Sequence, residues 1–164
     1  MMEMPYQRQG TSMTSDDASE KLELFFAARN LADLDIISTT DSFLVIKMSE
    51  TNKPEKTILK TKVYDNNLNP DYAETVTIDY FFESTIFFNL VRQKLKLEVY
   101  HEASPPKLVG RCESSVGEIF GSPHNGLNKP INNQKGKKTG ELIIKCEKVE
   151  KVTNNMLEFS LEAY

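Results

Sequence analysis

Residues 94–110 read KLKLEVYHEASPPKLVG. Leu95, Leu97 and Val99 alternate with Lys94, Lys96 and Glu98, a period of two that puts the apolar side chains on one face of a strand. Ser104-Pro105-Pro106 then supplies turn chemistry, and Leu108-Val109 resumes the apolar run. A strand, a turn and a second strand follow from these seventeen residues alone.

The same period governs the chain on either side. Residues 21–26 (KLELFF) place Leu22, Leu24 and Phe26 on one face. Residues 42–48 (SFLVIKM) form an apolar run of buried-strand length, 56–63 alternate weakly, and 74–80 (ETVTIDY) alternate cleanly. Residues 108–116, 141–146 and 157–161 complete eight candidate strands. The stretches 66–70 (NNLNP), 104–106 and 121–126 (GSPHNG) are turns between them. Helical spacing is confined to 116–120 and 87–92. Many short strands with little helix predict an all-β, eight-stranded antiparallel sandwich. Residues 1–19 are polar and aperiodic and read as a disordered tail, leaving 20–164 as the folded domain. Segment 128–138 reads as an exposed loop whose four lysines serve solubility.

Composition narrows the function classes. At 164 residues the chain has one domain's length, and 39% hydrophobic content is enough to fill a core. The longest apolar run is 24–28, far short of a membrane span or a secretory signal. A net charge of −4 argues against nucleic acid as a partner. Cys112 and Cys146 lie inside apolar segments and read as buried thiols in a reducing cytoplasm. His101 and His124 lack a second ligand at metal spacing, Gly110 and Gly117 are isolated, and Ser114, Ser115 and Ser122 have no activating partner. An enzyme is not expected. Tyr72, Tyr80, Phe81, Phe82, Phe87 and Phe88 read as core and edge packing.

Several segments, in order, resemble the first C2 domain of the copines. Asn30-Leu31-Ala32-Asp33-Leu34-Asp35 followed by Asp41-Ser42-Phe43-Leu44-Val45 is similar to that family's first loop and strand. Leu59-Lys60-Thr61-Lys62-Val63 with Asn66-Asn67-Leu68-Asn69-Pro70 resembles its second-loop motif. Residues 95–100 and 108–110 match the strands around its third loop, and 135–144 resemble its closing strand. The resemblance implies an eight-stranded C2 sandwich whose three apical loops meet membranes.

It also implies a calcium site built from two first-loop aspartates six residues apart and further third-loop aspartates. Asp35 and Asp41 keep the first spacing. The third loop has His101 where an aspartate stands in the family, Glu102 between the usual ligand positions, and Lys107 before Leu108-Val109-Gly110. Calcium takes about six to eight oxygens, so two aspartates predict weak calcium affinity or none. Lys107 is a candidate to reach Asp35 or Asp41 in place of the cation.

Two features could hold the domain to an anionic phospholipid membrane without calcium. Ile36 and Ile37 sit at the first-loop tip, where apolar side chains can enter the interface. Lys56, Lys60 and Lys62 share parity, with Ile58 between them, and are expected on one face that Lys47 joins. The expected function is a copine-like phospholipid-binding module, cytoplasmic and peripheral at the plasma membrane. The competing reading is a calcium-independent protein-interaction module, with 84–92 (STIFFNLVR) as its interface.

Overall fold

The computed structural model describes residues 19–34, 39–81 and 92–150. The expected strand at 157–161, the helical spacing at 87–91, Phe82, Phe87, Phe88 and all of 84–92 except Arg92 lie outside these residues. Among the described residues eight strands follow one another: β1 (Ser19–Arg29), β2 (Ser42–Ser49), β3 (Lys56–Lys60), β4 (Val76–Phe81), β5 (Lys94–His101), β6 (Lys107–Ser115), β7 (Gly126–Asn132) and β8 (Lys138–Lys148). One short helix, α1 (Val116–Phe120), follows β6. The Ser115 hydroxyl caps it by accepting from the Glu118 N–H.

The strands run in the order β3-β2-β5-β6-β7-β8-β1-β4, and every pairing is antiparallel. β6 meets β7 only at Arg111–Asn132, so the sheet folds there into two layers. The core lies between them. Leu44, Ile46, Leu97 and Val99 of one layer and Leu22, Leu24, Leu142 and Ile144 of the other are completely buried. The period-two faces read from the sequence are therefore the core faces, and the C2-type sandwich stands.

One strand stands where none was expected. Residues 126–132 (GLNKPIN) form β7, paired with β8 from Gly126–Lys145 to Asn132–Lys138, where the sequence suggested a loop. Pro130 is tolerated because β7 is edge-like on its β6 side, and Ile131 supplies the buried anchor. Cys146 is buried and Cys112 half-buried, both as free thiols; burial pushes the Cys112 thiol up to about 11.

Candidate functional site

Three loops gather at one end of the sandwich: loop 1 (30–41), loop 2 (61–75) and loop 3 (102–106). The NNLNP stretch explains how loop 2 is fixed. Asn66 N–H donates to Asp41 Oδ1 at 2.7 Å, and Asn67 N–H donates to the Thr40 carbonyl at 3.3 Å. Leu31 N–H donates to the Leu68 carbonyl, Asn30 N–H to Asn69 Oδ1, and Ala28 N–H to the Pro70 carbonyl. Each residue of the motif thus supplies at least one bond to the β1–loop 1 segment. Asn66 adopts φ 49°, a left-handed turn position that asparagine accepts more readily than most side chains.

Loop 1 is closed on itself by Thr40, which is fully buried. Its hydroxyl accepts from Leu34 N–H at 2.8 Å and donates to the Ala32 carbonyl at 2.9 Å. Asp41 then links loop 1 to loop 3. Its N–H donates to His101 Nδ1 at 3.1 Å, and its carbonyl accepts from Glu102 N–H at 2.8 Å. His101 is 6% exposed, so this contact is sheltered from water. Below it, the hydroxyls of Ser42 and Tyr72 hydrogen-bond at 2.9 Å, and burial pushes the Tyr72 phenol up to about 12.

Among the described residues these groups do not assemble a calcium cradle. One Asp41 carboxylate oxygen is engaged by a backbone N–H, and the His101 lone pair is committed to another. Glu102 is exposed. No three His, Cys, Asp or Glu groups among the described residues converge as metal ligands. Asp35, Ile36 and Ile37 lie outside the described residues. Lys107 is exposed at the start of β6, opposite His101, and makes no ion pair with Asp41 among the described residues.

The expected lysine face does not assemble as parity suggests. Val45 pairs with Lys60 and Ile46 with Leu59, but Lys47 pairs with Thr57 and Met48 with Lys56. The register shift between Ile46 and Lys47 is a bulge at Ile58, and it turns Lys56 to the opposite side from Lys60. Lys56 lines a cleft with Met48 and Glu50. Lys62 stands over the Tyr64 ring at 5.3 Å. Only Lys47 and Lys60 line a common groove, about 380 Å³, with Phe43, Tyr100 and Pro106.

Within that groove the two lysines differ. The Lys60 ammonium lies 5.3 Å above the Phe43 ring, which stacks on Tyr100 with centroids 5.5 Å apart. Lys47 is tied to Glu98, a carboxylate 5% exposed, at 3.3 Å; Arg111 approaches it at 3.7 Å, and Tyr100 donates its hydroxyl at 3.2 Å. The hydrogen bond and charge of Glu98 raise the Lys47 pKa. Lys47 is thus the partner of a buried carboxylate, while Lys60 remains available on the surface.

Sequence reasoning marked His101 as a replaced aspartate but not as the acceptor that joins two loops. It passed over Thr40, Glu98 and Arg111. Thr40, one residue before Asp41, was visible; Glu98 was visible as the one acid at an outward position of 95–100.

Comparison with known proteins accords with this geometry. Residues 24–132 match the model of the C2 domain. The chain is 27% identical over 140 residues to Copine-B of Dictyostelium discoideum, covering 84% of this chain and 26% of that protein. It is 32% identical over 145 residues to Copine-E of the same organism, covering 84% of this chain and 24% of that protein. The chain therefore spans about a quarter of the length of the curated relatives it matches. Among solved structures, a C2 domain of a plant extended synaptotagmin 1 shares the fold with a TM-score of 0.60 at 23% identity, covering 80% of this chain and 97% of that one.

Proposed function

The chain belongs to the C2 domain family, and on that premise we propose that it is a copine-like module that docks on anionic phospholipid without depending on calcium. It is read as a domain of the first-C2 type of the copines. The main support is the Asp41–His101 contact, which joins loops 1 and 3 through a ring lone pair where a bound cation would otherwise link them. Asp35 and Asp41 remain as residual ligands. Two carboxylates supply four oxygens against the roughly six to eight that calcium takes, so any response to the ion is weak.

Lipid contact falls to the loop end, where the sequence assigns Ile36 and Ile37 to the first loop, and to the groove where Lys60 stands on Phe43. A lysine near an anionic surface is worth about 1 kcal/mol. Among the described residues no helix is long and apolar enough to cross a membrane. The test is co-sedimentation with phosphatidylserine, phosphoinositide and phosphatidylcholine vesicles. Pelleting is expected with the two anionic compositions only, and weakened pelleting for Lys60→Glu. Equal partitioning to phosphatidylcholine would sink the proposal.

A second reading rests on a separate observation. β3 and β4 are the two end strands of the sheet order, and a cleft of about 500 Å³ lies between them, lined by Met48, Ile58, Val76 and Ile78. Among the described residues neither strand is paired on its outer side, and such an edge can accept a strand from a protein partner. Absence of binding to every vesicle composition favours this reading.

A further inference from the structure

The turn between β7 and β8 lies at the same end of the sandwich as the three loops. β7 runs toward that end and β8 away from it, with Asn132 opposite Lys138. Ala32 N–H of loop 1 donates to the Thr139 carbonyl at 2.9 Å. Gly140, at φ 150°, lets β8 approach so closely that a Cβ there would lie 2.9 Å from Leu31 Cδ2.

Lys129 on β7 and Lys135, Lys137 and Lys138 in and beside this turn make four lysines, and the structure divides them. Lys129 bonds Glu118 at 3.1 Å and the Glu113 carbonyl at 2.8 Å, and Lys138 bonds Glu141 at 2.8 Å. Lys135 and Lys137 are exposed and make no ion pair among the described residues. Their backbone is fixed nonetheless. Asn133 Oδ1 accepts from Lys135 N–H at 2.9 Å and from Lys137 N–H at 3.0 Å. Asn133 N–H donates to the Lys137 carbonyl, and Gly136, at φ 84°, donates its N–H to the Asn133 carbonyl.

We propose that this closed turn is a fourth membrane contact, with Lys135 and Lys137 meeting the headgroups of an anionic lipid surface beside loop 1. The inference rests on the membrane reading above. Lysine ammoniums are compact, hydrated point charges, suited to a diffuse anionic surface rather than to bidentate recognition of one group. On a chain of net charge −4 such attraction has to be local, within about 8 Å at physiological ionic strength. The cost of ordering is small because the turn is already formed.

The test uses the full chain in chelator with phosphatidylserine–phosphatidylcholine vesicles at several salt concentrations. Each lysine near an anionic surface is worth about fivefold in partitioning, so Lys135→Glu with Lys137→Glu weakens binding by at least about tenfold and flattens the salt dependence. Replacing both by Gln gives a smaller loss in the same direction. The control is Lys53→Glu with Lys94→Glu, the same charge change at the opposite end, which leaves binding within about twofold of the parent. If the turn variants bind like the parent, the fourth contact is wrong and the membrane reading stands. If the parent itself ignores phosphatidylserine, both fall.

Discussion

The backbone N–H of Asp41 donates to Nδ1 of His101 at 3.1 Å, so the end of loop 1 is held by a ring lone pair at the start of loop 3. The contact requires that nitrogen to be unprotonated. Removing it leaves a sheltered N–H without a partner. His101→Ala is expected to cost about 1–3 kcal/mol. His101→Asn, which keeps an acceptor oxygen, is expected to cost less. Urea unfolding gives the energies, and amide exchange at Asp41 shows whether the loss is at this bond.

The outward-facing Glu98 makes a second, separable prediction. Lys47→Met leaves a carboxylate 5% exposed with Arg111 at 3.7 Å and the Tyr100 hydroxyl at 3.2 Å. Lys47 is itself 32% exposed, so the expected loss is about 2 kcal/mol rather than the full penalty of a buried pair. Adding Glu98→Leu restores stability to within about 1 kcal/mol of the parent, since an apolar pair fits beside Val45 and Phe43 in the same groove. A double-mutant cycle by denaturant unfolding reads the coupling.

Two glycines differ in how closely the chain approaches them. A Cβ on Gly110 would lie 2.3 Å from Thr139 Oγ1 and 3.1 Å from Ile131 Cγ1, across the seam between the layers. Gly110→Ala is expected to cost about 1–3 kcal/mol by overpacking. Gly121→Ala has only a carbonyl oxygen at 3.2 Å and should cost less. Thermal melts of the pair rank them.

Glu74 sets an acid-side dependence. Burial pushes its carboxyl up, but the Lys62 N–H at 2.8 Å, the Tyr64 hydroxyl at 2.6 Å and the Lys62 charge outweigh it and hold the pKa below the ordinary value. The unfolded chain then takes the proton first as pH falls. Stability from Glu74 is full above the ordinary carboxylate range and is lost as pH falls through the lower folded value. Glu74→Gln should destabilise at about pH 7 and lose that difference near about pH 3, as measured by denaturant unfolding at both values.

The fold was legible because alternation states which side chains face inward. Leu22, Leu24 and Phe26, or Leu95, Leu97 and Val99, are core residues by their period alone. The NNLNP motif was legible too, and its bonds to loop 1 show why those residue types stand there. What parity could not show is where a period breaks. The bulge at Ile58 moves Lys56 away from Lys60, and no residue type announces it. β7 was hidden because Asn128, Lys129 and Pro130 carry turn and surface chemistry, while its single fully buried side chain, Ile131, gives no repeat. His101 was recognisable as a departure from the family pattern. Its contact with Asp41 joins residues sixty positions apart, which only the folded loops bring together.

The central claim is that the loop end needs no calcium to be assembled for lipid. The most direct measurement is the dissociation constant for phosphatidylserine vesicles in chelator and again in saturating calcium. Values within about twofold of each other are expected, because His101 already joins the loops and two carboxylates bind calcium weakly. Binding that appears only with calcium would mean that Asp35 and Asp41 complete a cation site with lipid oxygens, and would contradict the claim.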